Sequence, residues 1–159
     1  MIKVLFVCHG NICRSPMAEF IMKEKVKKLG LTDAFLIDSK ATSTEEIGNG
    51  IYPNAVKTLR KHGIFNTVHF AKQITNYDYD FYDYIFVMDY NNLKMMKIVL
   101  NRVNIDKAQL IGEFIKPGLC IEDPWYTDNF ELVYNQLDTA INRFIDKLKS
   151  EEKIWENIY

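Results

Sequence analysis

Ile2-Lys3-Val4-Leu5-Phe6-Val7, running into Cys8-His9-Gly10-Asn11-Ile12-Cys13-Arg14-Ser15-Pro16, is the stretch on which the rest of the chain turns. The first six residues are almost all apolar, as in a strand covered on both faces of a parallel sheet. After Pro16 the pattern through Ala18, Phe20 and Ile21 is helical. Strand, tight loop and helix start therefore follow one another without a break. Such a loop can turn several backbone N–H groups into one hollow, and the helix adds its positive end. The hollow suits a phosphate-like anion.

Each residue type in the loop has a chemical use. A thiolate at Cys8 is stabilised by the nearby helix N-terminus, and it is both nucleophile and leaving group. Arg14 offers a planar fork to two phosphoryl oxygens. Gly10 and Asn11 tolerate left-handed backbone angles. Ser15 can cap the helix and donate to the Cys8 sulfur, and Pro16 suits the first helical position. His9, Gly10, Asn11, Ile12, Cys13 and Ser15 are thus the expected phosphate-binding residues around Cys8 and Arg14. Singly, each also has an ordinary structural explanation. The ordered set points to an anion site.

Outward from the loop, the chain reads as alternating strands and helices. A helix runs through Met17, Phe20, Ile21, Val26 and Leu29 to Gly30, and a second strand follows at Ala34 to Asp38. Ser39 to Gly50 reads as polar loop, and Tyr52-Pro53 opens a helix that ends near His62-Gly63. The aromatic and aspartate alternation from Asn76 to Tyr84 reads as a solvated approach to a third strand, Tyr84 to Met88. Asp89 caps a helix through Leu100. Gln109 to Ile111 is a short fourth strand, and Gly112 to Glu122 is loop. From Asn129 apolar residues recur at helical spacing to Leu148. The sum is an α/β fold: a single domain over 1–159 with a four-stranded parallel sheet, helices on both faces, and the phosphate-binding loop after the first strand. Residues 150–159 form a charged tail whose structure the pattern leaves open.

Composition narrows the function. At 159 residues the chain suits one domain that buries roughly 70% of its unfolded surface. A net charge of −1 gives no footprint for nucleic acid. Three cysteines, Cys8, Cys13 and Cys120, make neither a disulfide framework nor a zinc pattern, so no structural zinc site is expected. The N-terminal apolar run is short for a secretion signal, and no stretch approaches about 20 apolar residues. The expectation is a cytoplasmic protein without a membrane partner.

A phosphoryl transfer to sulfur from an aryl ester expels a phenolate, whose conjugate acid has a pKa of ~10. A general acid is needed. Asp123 stands before Pro124, Trp125 and Tyr126 between a strand and the last helix. Desolvation by the two rings would favour a protonated carboxyl there. Asp-Pro is also a common turn start.

The string Gly10-Asn11-Ile12-Cys13-Arg14-Ser15-Pro16 resembles the active-site loop of the low-molecular-weight protein tyrosine phosphatases, C-x5-R-S. Asp123-Pro124-Trp125-Tyr126 is similar to their acid loop, and further matching strings run from Ile2 to Leu148. The resemblance implies a two-step hydrolysis, without metal or cofactor, of phosphotyrosine in a protein, or of a small aryl phosphate, through a cysteinyl phosphate. In it Cys8, Arg14 and Asp123 are catalytic, Trp125 and Tyr126 wall the substrate, and Ser39 and His69 support the loop. His69 has an equal claim as an ordinary structural histidine. Cys13 corresponds to the family's second loop cysteine, able to protect Cys8 as a disulfide, or else simply packs inside the loop.

Thr44-Glu45-Glu46-Ile47 departs from the family, many of whose members place an aromatic residue there. Glu45 and Glu46 would disfavour acidic phosphopeptides. Tyr52 is another aromatic whose distance from the slot the sequence leaves open. Three alternatives remain: a protein-arginine phosphatase, in which Thr replaces Ile12; a thiol-dependent arsenate reductase, which needs more late cysteines than Cys120; and a phosphopeptide- or anion-binding module without catalysis.

Overall fold

A computed structural model describes residues 1–155. Strands β1 (Ile2–Cys8), β2 (Phe35–Ala41), β3 (Tyr84–Val87) and β4 (Ala108–Leu110) form one parallel sheet in the order β2-β1-β3-β4. The helices are α1 (Arg14–Lys28), α2 (Pro53–Lys61), α3 (Asn76–Phe81), α4 (Tyr90–Leu100), the single turn α5 (Pro124–Thr127) and α6 (Phe130–Ser150). This is the doubly wound α/β arrangement expected from the alternation of elements.

The central strand β1 is apolar and buried from Val4 to Cys8 because both its faces are covered there. Val4, Phe6 and Cys8 belong to a core shared with α1, α2 and α6. Leu5 and Val7 belong to a second core with Tyr79, Tyr82, Met96 and Leu100 from the α3 and α4 side. Phe86 packs edge-on against Phe144 of α6, with ring centroids 4.8 Å apart. Truncating a fully buried Phe of this kind costs about 3–5 kcal/mol.

The order of strands also places the site. β1 is followed in sequence by β2 on one side, while β3 lies on its other side. The loops leaving β1 and β3 therefore part company at the carboxyl edge of the sheet, and a crevice opens between them.

Several local expectations change. β2 extends past Asp38 to take in Ser39, Lys40 and Ala41, which pair with Phe6, Val7 and Cys8. A polar sequence concealed it, although Ser39 and Ala41 are buried. The approach to β3 from Asn76 is made by the helix α3. A capping box between Thr75 and Asp78 starts it. Tyr79 and Tyr82 turn inward, and Tyr77 is 72% exposed. Part of the expected loop after β4 is a 3-10 turn, Ile111–Phe114. The tail beyond α6 folds back far enough to bury Ile154. The remainder of the 150–159 tail, from 156 on, lies outside the described residues.

Candidate active site

The loop after β1 is built on one left-handed residue. Asn11 has φ 60° and is fully buried; Gly10, expected to share that conformation, has no positive φ. Asn11 spends its whole hydrogen-bonding capacity on the loop. Its Nδ2 donates to Ser15 Oγ and to Ser39 Oγ, each at 2.9 Å. Its Oδ1 accepts from His69 Nε2 at 2.8 Å and from the Lys72 N–H at 3.2 Å. The Lys72 amide can only donate, so the orientation of the Asn11 side chain is settled. Ser39 and His69 thus both bond to the loop through the Asn11 side chain.

Helix α1 begins at Arg14 with Cys13 as its cap, and no side chain closes it. Ser15 is not that cap, and Pro16 lies in the third helical position. The Ser15 hydroxyl instead lies 2.9 Å from Cys8 Sγ. Since Ser15 Oγ already accepts from Asn11, its own hydrogen is free to point at the sulfur. The Asn11 N–H donates to the same sulfur at 3.3 Å. Two donors converge on Cys8, the arrangement that steadies a sulfur anion.

Arg14 is 3% exposed. Its Nη1 donates to Asp89 Oδ2 at 2.6 Å and to the Ile121 carbonyl at 3.0 Å, and its Nη2 to Asp123 Oδ2 at 3.5 Å. Burial acts against the charge on Arg14. The Cys8 sulfur, Asp89 and Asp123 more than offset it and hold the guanidinium protonated above its ordinary range. The Cys13 thiol is pushed up to about 12, first by burial and then by charge on Cys8 and Asp123. It therefore stays protonated where a nucleophile must ionise. Burial also lowers His69 below its ordinary 6.5, against the opposing pull of Glu19.

Asp123 caps the single turn α5: its Oδ1 accepts from the Trp125 N–H at 3.0 Å, leaving Oδ2 toward Arg14. Cys8, His9, Gly10, Asn11, Ile12, Cys13, Arg14, Asp123, Trp125 and Tyr126 all line one cleft of about 410 Å³, with Glu45 and Glu46. The rings wall the cleft more thinly than expected. Trp125 is 54% and Tyr126 84% exposed, so they do not enclose Asp123. His9 meets Glu45 at 3.0 Å across the rim. A buried cysteine, a fixed cation and a carboxylate on one small cavity could together serve an acid-assisted displacement at phosphorus.

Two contributors escaped the sequence reading. Asp89, a helix cap by its place in the sequence, does cap α4: its Oδ1 accepts from the Asn92 N–H at 2.8 Å. Its other oxygen clamps Arg14. The available signal was its place at the carboxyl end of the strand beside β1. Glu19, 2% exposed, accepts from Ser39 Oγ at 2.7 Å and faces His69 Nδ1 at 3.3 Å. Its signal was a lone carboxylate four residues after Ser15, on the buried face of α1.

Residues 3–154 match the family model described as "Low molecular weight phosphotyrosine protein phosphatase". A pig protein of that name is 42% identical over 92% of this chain and 95% of its own length. The solved structure of SP-PTP, a low molecular weight protein tyrosine phosphatase from Streptococcus pyogenes, superposes with TM-score 0.84. It is 38% identical and covers 96% of this chain and 97% of its own. A Drosophila arginine phosphatase structure superposes with TM-score 0.81 at 35% identity, covering 94% of this chain and 99% of its own.

Proposed function

The chain belongs to the low molecular weight phosphotyrosine protein phosphatase family, phosphoric monoester hydrolases, and we propose that it performs this reaction through Cys8, Arg14 and Asp123. The observation that carries the assignment is the convergence of these three side chains, from β1, α1 and the loop before α6, on one cleft. The whole described chain is taken as one phosphatase domain, since a single sheet carries both halves of the site.

The Cys8 thiolate attacks phosphorus in line with the tyrosine oxygen. The loop N–H groups and the Arg14 guanidinium take the equatorial oxygens as charge spreads over them. The S–P bond forms as the P–O bond to tyrosine breaks, and Asp123 gives its proton to the departing oxygen. Asp123 then accepts a proton from the water that attacks the cysteinyl phosphate. Phosphate leaves, and the sulfur recovers its electron pair under the Ser15 hydroxyl and the Asn11 N–H. His9 to Cys13 shape the anion hollow, while Trp125 and Tyr126 give the phenol ring apolar surface. Asn11, Ser39 and His69 hold the loop ready, which lowers the reorganisation needed in the transition state.

Phosphotyrosine is favoured over phosphoarginine because Ile12 presents an apolar side chain to the cleft, beside two aromatic rings. Among the described residues no helix is long and apolar enough to cross a membrane. Three free cysteines support a reducing, cytoplasmic setting. The test is turnover of three peptides identical except for phosphotyrosine, phosphoarginine or phosphoserine. The highest kcat/KM is expected for phosphotyrosine. Faster turnover of phosphoarginine would overturn the substrate assignment.

A further inference from the structure

We propose that Tyr52 is a positioning residue that ties the Asp123 turn to the phosphate loop. Its backbone N–H donates to the Ile12 carbonyl at 2.9 Å, so the main chain at Tyr52 is fastened to the loop that holds the anion. Its ring lies against the other half of the site. The centroid is 5.0 Å from that of Trp125, with planes inclined at 58°, and 5.9 Å from that of Phe130 at 24°. These are the offset and tilted geometries that aromatic rings prefer.

The turn α5 needs such a support. Its hydrogen bonds are mostly its own: Trp125 N–H to Asp123 Oδ1, Tyr126 and Thr127 N–H to the Asp123 carbonyl, and Asp128 N–H to the Pro124 carbonyl. None of these bonds ties the turn to the sheet. Buried Pro124 and the Arg14 pair fix one side of it. Trp125, resting on Tyr52, fixes the other. Because the Trp125 amide is also a donor to Asp123, a shift of Trp125 moves the carboxyl directly. A displacement of about 1 Å at a reacting group can cost on the order of 10²-fold in rate. Tyr52 does not itself line the cleft; its ring reaches the acid turn through Trp125.

The inference rests on the general-acid role given to Asp123, and the test separates the two. Hydrolysis of phenyl phosphate, whose leaving oxygen needs a proton, is compared with that of 4-nitrophenyl phosphate, whose leaving oxygen needs it far less. Tyr52→Ala is expected to lose about tenfold in kcat/KM, which reports the step that forms the cysteinyl phosphate, on phenyl phosphate, a fraction of a general acid's usual worth, and much less on the nitrophenyl ester. Tyr52→Phe keeps the ring and restores both rates. Tyr52→Leu, which preserves apolar bulk, shows the same selective loss should the alanine variant fail to fold. Equal loss on both esters, or none on either, overturns the proposal. Asp123→Ala is measured in parallel. A selective loss there with a flat response at Tyr52 rejects the role of Tyr52 alone. A flat response at Asp123 rejects the acid assignment, and the inference with it.

Discussion

The loop after β1 and the turn before α6 face each other across the same cleft but are held in opposite ways. Around Cys8 both polar atoms of the Asn11 side chain are engaged, Ser15 and Ser39 are fully buried, and the sulfur meets two donors. Around Asp123 the support is one ion pair at 3.5 Å, one buried proline and a tryptophan that is more than half exposed. The first region must present a fixed arrangement of dipoles before substrate arrives, because electrostatic stabilisation is strongest when nothing has to reorganise. In the proposed mechanism the second admits a phenol ring, passes a proton and lets product go. Rigidity then sits where that mechanism binds the anion, and openness where its leaving group departs.

The contrast can be broken most sharply at the sulfur. Cys8→Ser should reduce phosphate release to background, since a serine hydroxyl lacks the thiolate's nucleophilicity. A surviving steady rate would mean that the buried loop is a binding cradle only. At the opposite wall, Asp123→Ala should lose roughly 10²–10⁴ in kcat on phosphotyrosine. A loss under about tenfold would show that the turn is not part of the chemistry.

Cys13 gives a stability test of the buried side. Its thiol ionises at about 12 in the folded chain and at an ordinary 9.0 once unfolded. The folded state therefore holds a proton that the unfolded state releases. Its contribution is whole below pH 9.0 and is lost as pH rises toward 12, by about 1.4 kcal/mol per pH unit. Chemical denaturation across that range should show the fall, and Cys13→Ala should delay it to the pH where buried tyrosines such as Tyr82 take over. An unaltered alkaline limb in Cys13→Ala would show that the thiol is not shielded.

The smallest effect belongs to the rim. Glu45, exposed, and Glu46, half-buried, add negative charge beside the cleft, and His9 hydrogen-bonds only Glu45 of the two. The double variant Glu45→Gln, Glu46→Gln should raise kcat/KM for a phosphotyrosine peptide with acidic neighbours by a few-fold. That is roughly the worth of exposed charge pairs at about 0.2–1 kcal/mol each. The gain should shrink in high salt. No change at low salt would show that the peptide chain leaves the cleft on another side.

The same contrast explains what the sequence could reveal. The anion loop is contiguous from Cys8 to Ser15, and its chemistry follows from a strand end, a loop and a helix start. The apolar alternation likewise located all four strands to within a few residues. Asp89, Glu19 and Tyr52 reach the site only through tertiary packing, and locally each looks ordinary: a cap, a helix glutamate, a residue before proline. The extension of β2 was hidden for a related reason. Ser39 is buried because Glu19 and Asn11 satisfy its hydroxyl, partners that lie 20 and 28 residues away in the chain. Trp125 and Tyr126 were legible as wall residues, but their exposure depends on how far the turn stands off the sheet.

The most direct test of the account is to stop turnover of a phosphotyrosine peptide in acid and map the phosphoryl group on the protein by mass spectrometry. The account predicts a phosphoryl group on the Cys8 peptide that appears before free phosphate is released and vanishes when substrate is exhausted. Phosphate release from a protein that never carries the group, or carries it on another side chain, would contradict it.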